Sequence, residues 1–210
     1  MKEIKSIRLK EGEFLAKNLN QHEIEKAYRF RYKIFCEELK WLPKNTVEKE
    51  SDEYDQHAIH FGVFSCSGEI VGYSRILIPE NGFMLKKEFA DLLNPNYCIR
   101  EEKDAVEISR LAVKSDTRGN QGNSAKVSML LYKAMYQWAI RNGVRYWYMV
   151  VETKFLKSLQ AFFPCKVIST TKEYQPNVSS VAALLDIREA ESIVSKTNPA
   201  LYSWFVSEAS

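Results

Sequence analysis

The chain has 210 residues, of which 45% are hydrophobic and 27% charged, with a formal net charge of +3. That length suits a single domain with a substantial core, and the composition is that of a globular protein rather than a disordered or fibrous one. No run approaches the roughly 20 apolar residues of a membrane span, no signal-peptide pattern opens the chain, and no dense Lys/Arg stripe suggests nucleic acid.

The four cysteines, Cys36, Cys66, Cys98 and Cys165, are scattered without C-x-x-C spacing. They read as free thiols in a reducing compartment, so a cytoplasmic location is expected. No metal site is expected, because His57 and His60 form the only close histidine pair and no thiol lies beside them at ligand spacing. The charge is uneven: residues 1–110 carry 18 Lys/Arg against 20 Asp/Glu, and residues 111–210 carry 12 against 7. A basic C-terminal half could meet an acidic partner, though a solvated surface gives the same bias.

Residues 22–40 read as a helix, with Ile24, Ala27, Tyr28, Ile34, Phe35 and Leu39 at helical spacing and Arg31 on the same stripe. Trp41-Leu42-Pro43 ends it. The polar stretch from Lys44 to Gln56 reads as a loop and carries the acidic cluster Glu50-Ser51-Asp52-Glu53-Tyr54-Asp55. Two alternating runs follow, Ala58–Cys66 and Glu69–Ile78, joined by Ser67-Gly68 as a tight hairpin. In that register, positions summing to 135 face each other, which sets His60 across from Arg75. Arg75 shares an apolar face with Val71, Tyr73 and Leu77 and needs a carboxylate partner.

A short helix around Met84–Leu93 precedes a loop, and Val106–Val113 reads as the central strand. Glu107 and Arg110 are three residues apart, so a regular strand turns them to opposite faces. A bulge between them is required if both serve one site; otherwise Glu107 faces solvent and Arg110 pairs elsewhere. A polar turn, Lys114–Gly119, leads into a helix over Ser124–Arg141, whose N-terminal N–H groups suit an anionic ligand. Val127, Leu130, Leu131, Ala134, Trp138 and Ala139 form its apolar stripe and Gly143 its stop. Val144–Val151 reads as a strand, Thr153–Phe163 as a helix, and Cys165–Thr170 and Val181–Asp186 as closing strands. The interleaving predicts an α/β fold with one parallel pairing, between the central strand and Val144–Val151.

Arg31, Arg75 and Arg110 nearly balance Glu50, Asp52, Asp55 and Glu107. Each is costly to bury alone, by several kcal/mol, so one shared cleft is the economical explanation. The pattern Arg31-x3-Phe35-x5-Trp41-x8-Glu50-x-Asp52-x2-Asp55, then Arg75, then Glu107-x-x-Arg110, resembles that of the acyl-homoserine lactone (autoinducer) synthases. The phrase Glu107-Ile108-Ser109-Arg110-Leu111-Ala112-Val113, with His60 after the acidic cluster, resembles the related N-acyl amino acid synthases and exosortase-associated acyltransferases. Arg118-Gly119-Asn120-Gln121-Gly122-Asn123 departs from the acetyl-CoA-binding turn of ordinary GNAT enzymes. The departure agrees with a donor on an acyl carrier protein.

The resemblance implies one domain over residues 1–210 with a GNAT-like acyltransferase fold: a mixed twisted sheet splayed at a central bulged strand and flanked by helices. It implies an N-acyltransferase that moves a fatty acyl chain from a carrier-protein thioester to the amine of an amino acid. Alternatives are an autoinducer synthase using S-adenosylmethionine, or a catalytically silent module of the same fold that binds an acyl carrier or partner. No cofactor is expected to be tightly bound; the co-substrate is an acyl-phosphopantetheine thioester, on acyl carrier protein or coenzyme A.

Glu107, Arg110, Glu50, Asp52 and Asp55 are then the expected catalytic group. Glu107, or Glu50 and Asp52 through water, would take the amine proton, although a carboxylate of ordinary pKa is a poor match for that task. Arg31 and Arg75 would shape the cleft or bind the acceptor carboxylate, and Arg110 would hold Asp52 or Asp55. Phe35 and Trp41 wall the pocket or simply fill the core. The pantetheine arm would pair between Ile108–Val113 and Tyr146–Val151 as an added strand, touching Ile108, Leu111 and Val113. The acyl tail would reach Tyr148, Met149 and Phe155. Arg118, Arg145, Lys154 and Lys157 would meet the carrier protein or its phosphopantetheine.

Overall fold

Alternation of apolar and polar residues sets the strands, and wider apolar stripes set the helices that cover them. The computed structural model describes residues 5–114 and 121–207. In chain order the strands and α-helices are β1 (Arg8–Glu11), β2 (Phe14–Asn18), α1 (Gln21–Tyr32), β3 (Ile59–Phe64), β4 (Ile70–Leu77), α2 (Met84–Lys87) and β5 (Ala105–Val113). They continue with α3 (Gln121–Asn142), β6 (Tyr146–Glu152), α4 (Thr153–Gln160), β7 (Lys166–Val167), β8 (Lys172–Gln175), β9 (Val178–Asp186), α5 (Ile187–Thr197) and α6 (Pro199–Val206). Among the described residues no helix is long and apolar enough to cross a membrane.

The chain divides into two units, whose described parts are residues 5–76, 110–114 and 121–142 in the first and 77–109 and 143–207 in the second. In the first unit β1, β2, β3 and β4 pair in succession and antiparallel. The β3–β4 register places His60 opposite Arg75, as the sum of 135 requires, and holds from Ile59↔Ile76 to Val63↔Gly72 before shifting at Phe64↔Ile70. The distal end of β5 joins this unit, with Lys114 N donating to Val71 O at 2.9 Å. Phe30, Ile34, Phe35, Phe64, Ile70, Tyr73 and Ala112 form a core beneath α1, with Trp41 and Leu42 packed against it.

Asn20 caps α1 through a reciprocal box with Glu23. The expected helix over 22–40 does not run through as one α-helix. After Tyr32 it widens into a π-helical turn, Lys33–Glu38, closed by Leu39 N donating to Ile34 O at 2.9 Å. Such turns concentrate at functional sites. The acidic stretch is likewise more ordered than a loop. Asp52 caps the N-terminus of a 3₁₀ turn, Glu53–His57, through a reciprocal box in which its side chain accepts from Tyr54 N and that of Asp55 accepts from Asp52 N.

In the second unit β5 runs parallel to β6, from Ala105↔Tyr146 to Ile108↔Met149. β9 pairs antiparallel along the whole of β6 and also carries β7 and β8. The expected helix around Met84–Leu93 is a single turn, α2, followed by a 3₁₀ turn at Ala90–Leu92. The expected strand Cys165–Thr170 shrinks to Lys166–Val167, while the last strand begins earlier, at Val178.

The irregularity expected in the central strand sits at Arg110. Its φ is 55°, in the left-handed region, within an otherwise extended strand. A residue with a Cβ is uncommon there, and holding it costs on the order of 1–3 kcal/mol. Strain of that size persists only where the surroundings fix the side chain.

Candidate active site

What fixes Arg110 is a ring of ions in the first unit. Its Nη2 donates to Asp52 Oδ2 at 2.9 Å and to Glu50 Oε1 at 3.2 Å, and its Nε lies 3.3 Å from both Glu50 oxygens. Arg31, delivered by α1, donates through Nε to Glu50 Oε2 at 2.5 Å and through Nη1 to Asp55 Oδ1 at 2.6 Å. Arg75, on β4, grips Asp52 with both Nη atoms, at 2.5 and 2.7 Å, and reaches Asp55 Oδ1 at 2.6 Å. Each guanidinium therefore bridges two carboxylates, and each carboxylate bridges two guanidiniums. The circuit runs Glu50, Arg31, Asp55, Arg75, Asp52, Arg110 and back to Glu50. Three positive charges meet three negative ones.

Local structure holds the carboxylates in place. Glu50 N donates to Tyr28 O on α1 at 3.0 Å, and Asp52 N donates to Asp55 Oδ2 at 2.8 Å within the capping box. Burial by itself would raise the Asp52 carboxyl, but Arg75 and Arg110 together hold it below the usual carboxylate range. Burial is likewise outweighed at Asp55, by Arg31 and Arg75. Both groups are anions at neutral pH and poor proton acceptors.

The ring is asymmetric in exposure. The Arg31 and Arg75 side chains are 0% exposed, whereas Arg110 is 17% and Asp52 22% exposed. Arg31 and Arg75 therefore suit shaping the site, and the Asp52–Arg110 pair forms its accessible edge. Arg110 holds Asp52, as expected; its second partner is Glu50 rather than Asp55. Phe35 and Trp41 lie side by side, ring centroids 6.2 Å apart, with the Arg110 guanidinium 5.8 Å from the Phe35 ring. Phe35 thus belongs to the core and lies beside the ring. Leu111 and Val113 are half-buried on β5.

Sequence reasoning missed two members. Tyr73 Oη accepts from Arg31 Nη1 at 3.3 Å and lies 2.7 Å from His60 Nδ1, while His60 Nε2 lies 3.0 Å from Asp55 O. The signal was available, since Tyr73 shares the buried face of β4 with Arg75 and His60 faces Arg75 across the hairpin.

In the second unit Glu107 is buried, and its Oε2 accepts from Leu85 N at 3.1 Å. Ile108 and Met149 are buried partners on the parallel strands. The Tyr148 hydroxyl accepts from Arg100 N at 3.0 Å, and Phe155 is half-buried. Arg145 is not a loose cation: its Nε and Nη2 clasp Asp186 at 2.7–3.1 Å. Lys154 and Lys157 are exposed on α4. Arg118 lies outside the described residues.

Residues 16–193 match the autoinducer synthase family. The chain belongs to that family. It is accordingly an acyltransferase. An acyl-homoserine-lactone synthase of Aliivibrio fischeri is 28% identical over 165 residues, covering 76% of this chain and 82% of its own. Among solved structures, TofI in a ternary complex with an inhibitor and MTA superposes with a TM-score of 0.72 at 21% identity, over 90% of this chain and all of its own. FeeM, an N-acyl amino acid synthase from uncultured soil microbes, superposes with a TM-score of 0.58 at 16% identity, over 85% and 93% of the two chains. These likenesses establish a GNAT-like fold. In this family member the charge ring is built from six of the seven ions that the sequence pattern singles out.

Proposed function

We propose that this acyltransferase condenses an acyl-phosphopantetheine thioester with the α-amine of S-adenosylmethionine and closes the product to an acyl-homoserine lactone. The observation that carries the reading is the accessible Asp52–Arg110 edge. An amino acid presents a carboxylate and an amino group a few ångströms apart, and an adjacent guanidinium and carboxylate complement both. Arg110 takes the acceptor carboxylate and Asp52 orients the amine, while the enclosed part of the ring keeps the pair rigid. The neutral amine attacks the thioester carbonyl, the amide C–N bond forms, and the C–S bond breaks to release the thiol. The carboxylate then displaces methylthioadenosine from the same molecule, and the lactone ring closes.

An α-amine of pKa about 8 is roughly one-tenth neutral at pH 7, so its deprotonation needs only modest help. Glu50 acting through water provides it, since the carboxyl of Asp52 is held below its usual range and is a poor acceptor. The acyl tail is assigned to Ile108, Met149 and Phe155, with Tyr148 as a further contact. An acyl carrier protein, being acidic, is matched by the exposed Lys154 and Lys157. Reading residues 1–210 as one acyltransferase domain is supported by a family match that runs through both units. A cytoplasmic location is supported by the free thiols of all four cysteines.

A second acceptor, a free amino acid, is favoured by the Glu107–Val113 phrase and by the fold shared with FeeM. Purified protein incubated with acyl-carrier protein or acyl-CoA, S-adenosylmethionine and mixed amino acids separates the two by product mass. An acyl lactone supports the first reading, an N-acyl amino acid the second, and unconsumed thioester under every condition contradicts both.

A further inference from the structure

We propose that His60 and Tyr73 are positioning residues, which orient the Arg31 guanidinium through a directed chain of hydrogen bonds. The direction follows from the end groups. Asp55 O is a carbonyl and can only accept, so His60 Nε2, 3.0 Å away, carries a proton. In a neutral imidazole Nδ1 is then an acceptor, and Tyr73 Oη, at 2.7 Å, donates to it. With its own proton so committed, the Tyr73 oxygen presents a lone pair to Arg31 Nη1 at 3.3 Å. One neutral histidine thus joins the backbone of the Asp55 turn to the side chain of Arg31, whose Nη1 also holds Asp55 Oδ1 at 2.6 Å.

The arrangement is at full strength only with neutral His60. A protonated ring would carry a donor on Nδ1, so the Tyr73 oxygen would have to accept from it and turn its own proton away from the imidazole, sharing its acceptor capacity between His60 and Arg31 and weakening the bond to Arg31. The groups that face the imidazole from each packed element are Tyr28 and Arg31 on α1, Asp55 on the 3₁₀ turn, and Tyr73 and Arg75 on β4. Burial first, and then the Arg31 and Arg75 charges, lower the His60 pKa against the pull of Asp55. Neutrality is therefore kept across the physiological range. Tyr73, also buried, has its pKa raised and stays protonated.

The proposal rests on the charge ring being the acyl-transfer site, and the test uses the full chain with kcat/KM measured by thiol release from pH 5 to 8. Below the acceptor amine pKa of about 8 the wild-type log profile has unit slope, and it steepens further once His60 takes a proton. Tyr73→Phe and His60→Leu are expected to lower kcat/KM by about tenfold, the loss of one hydrogen bond to a charged group. His60→Asn, whose Oδ1 can accept from Tyr73, is expected to recover most of that loss and to lack the extra acid steepening. Should His60→Leu fail to fold, Tyr73→Phe and His60→Asn decide. An inactive Arg31→Ala alongside Tyr73→Phe and His60→Leu with wild-type rates and pH profiles would overturn the positioning role alone. A fully active Arg31→Ala would overturn the site assignment and the positioning role with it.

Discussion

Arg110 Nη2 lies 2.9 Å from Asp52 Oδ2, although 58 residues separate the two in sequence. Arg110 reaches that position by adopting a φ of 55° inside β5. The strained backbone and the ion pair explain each other, because the twist that would be unfavourable alone delivers the guanidinium to two carboxylates. A double-mutant cycle of Arg110→Ala and Asp52→Ala, read by urea unfolding, is expected to show a coupling of about 0.5–3 kcal/mol, typical of contacting groups in one network. Strict additivity would dissociate the strain from the pair.

Arg31 is the more stringent case, since its side chain is fully enclosed. Arg31→Ala leaves Glu50 and Asp55 each short of a guanidinium in the interior, and removing one partner of a buried pair costs about 3–5 kcal/mol. Arg31→Lys restores a charge but cannot serve Glu50, Asp55 and Tyr73 at once, so it is expected to fall between Ala and wild type. Urea midpoints of the three proteins check the order.

Stability should fall on acidification in two stages. The folded pKa of His60 is lowered. Between about pH 6.5 and that lower value the unfolded chain therefore binds a proton that the native chain does not, and stability drops as pH falls. The folded values of Asp52 and Asp55 are lowered too. Their contribution is present above the unfolded carboxylate value of about 3.9 and is lost as pH falls through the folded ones. Unfolding free energies from pH 3 to 8 should show both declines, and His60→Asn should erase the upper one only.

Packing between β4 and α3 gives a test independent of charge. A Cβ on Gly72 would stand 2.7 Å from Val127 Cγ1, on a stiff β-branched side chain. Gly72→Ala is expected to cost about 1–3 kcal/mol through overpacking. At Gly62 the same distance is to Leu19 Cδ2, the end of a flexible side chain, so Gly62→Ala should cost less. Melting temperatures of the two variants decide.

Much of this site was legible before any coordinates, because its parts obey local rules. The His60–Arg75 pairing follows from counting across a tight turn, and the near balance of ions follows from the cost of burying any of them alone. A bulge near Arg110 was one of two readings left open by its spacing to Glu107, and no residue type announces a left-handed arginine. The π-helical turn at Lys33–Glu38 was hidden because six residues are too few for apolar spacing to separate a wide turn from an α-helix. The 3₁₀ turn was missed although Asp52-x-x-Asp55 is a capping-box spacing, since an acidic cluster reads first as solvated loop. His60 and Tyr73 were placed beside Arg75 by the register but given no role in the site, because an aromatic and a histidine in apolar strands look like core. The short strands β1, β2 and β8 have too few residues for alternation to define.

The central claim is that the ring's accessible edge performs acyl transfer, and the most direct measurement compares wild type with Arg110→Ala by product mass and rate. Both proteins, matched for fold by circular dichroism, receive acyl thioester and S-adenosylmethionine. Wild type is expected to form the N-acyl product, and the folded Arg110→Ala to lose about a hundredfold in kcat/KM, the scale of a misplaced reactant. A folded Arg110→Ala that forms the same product at the wild-type rate would contradict the account.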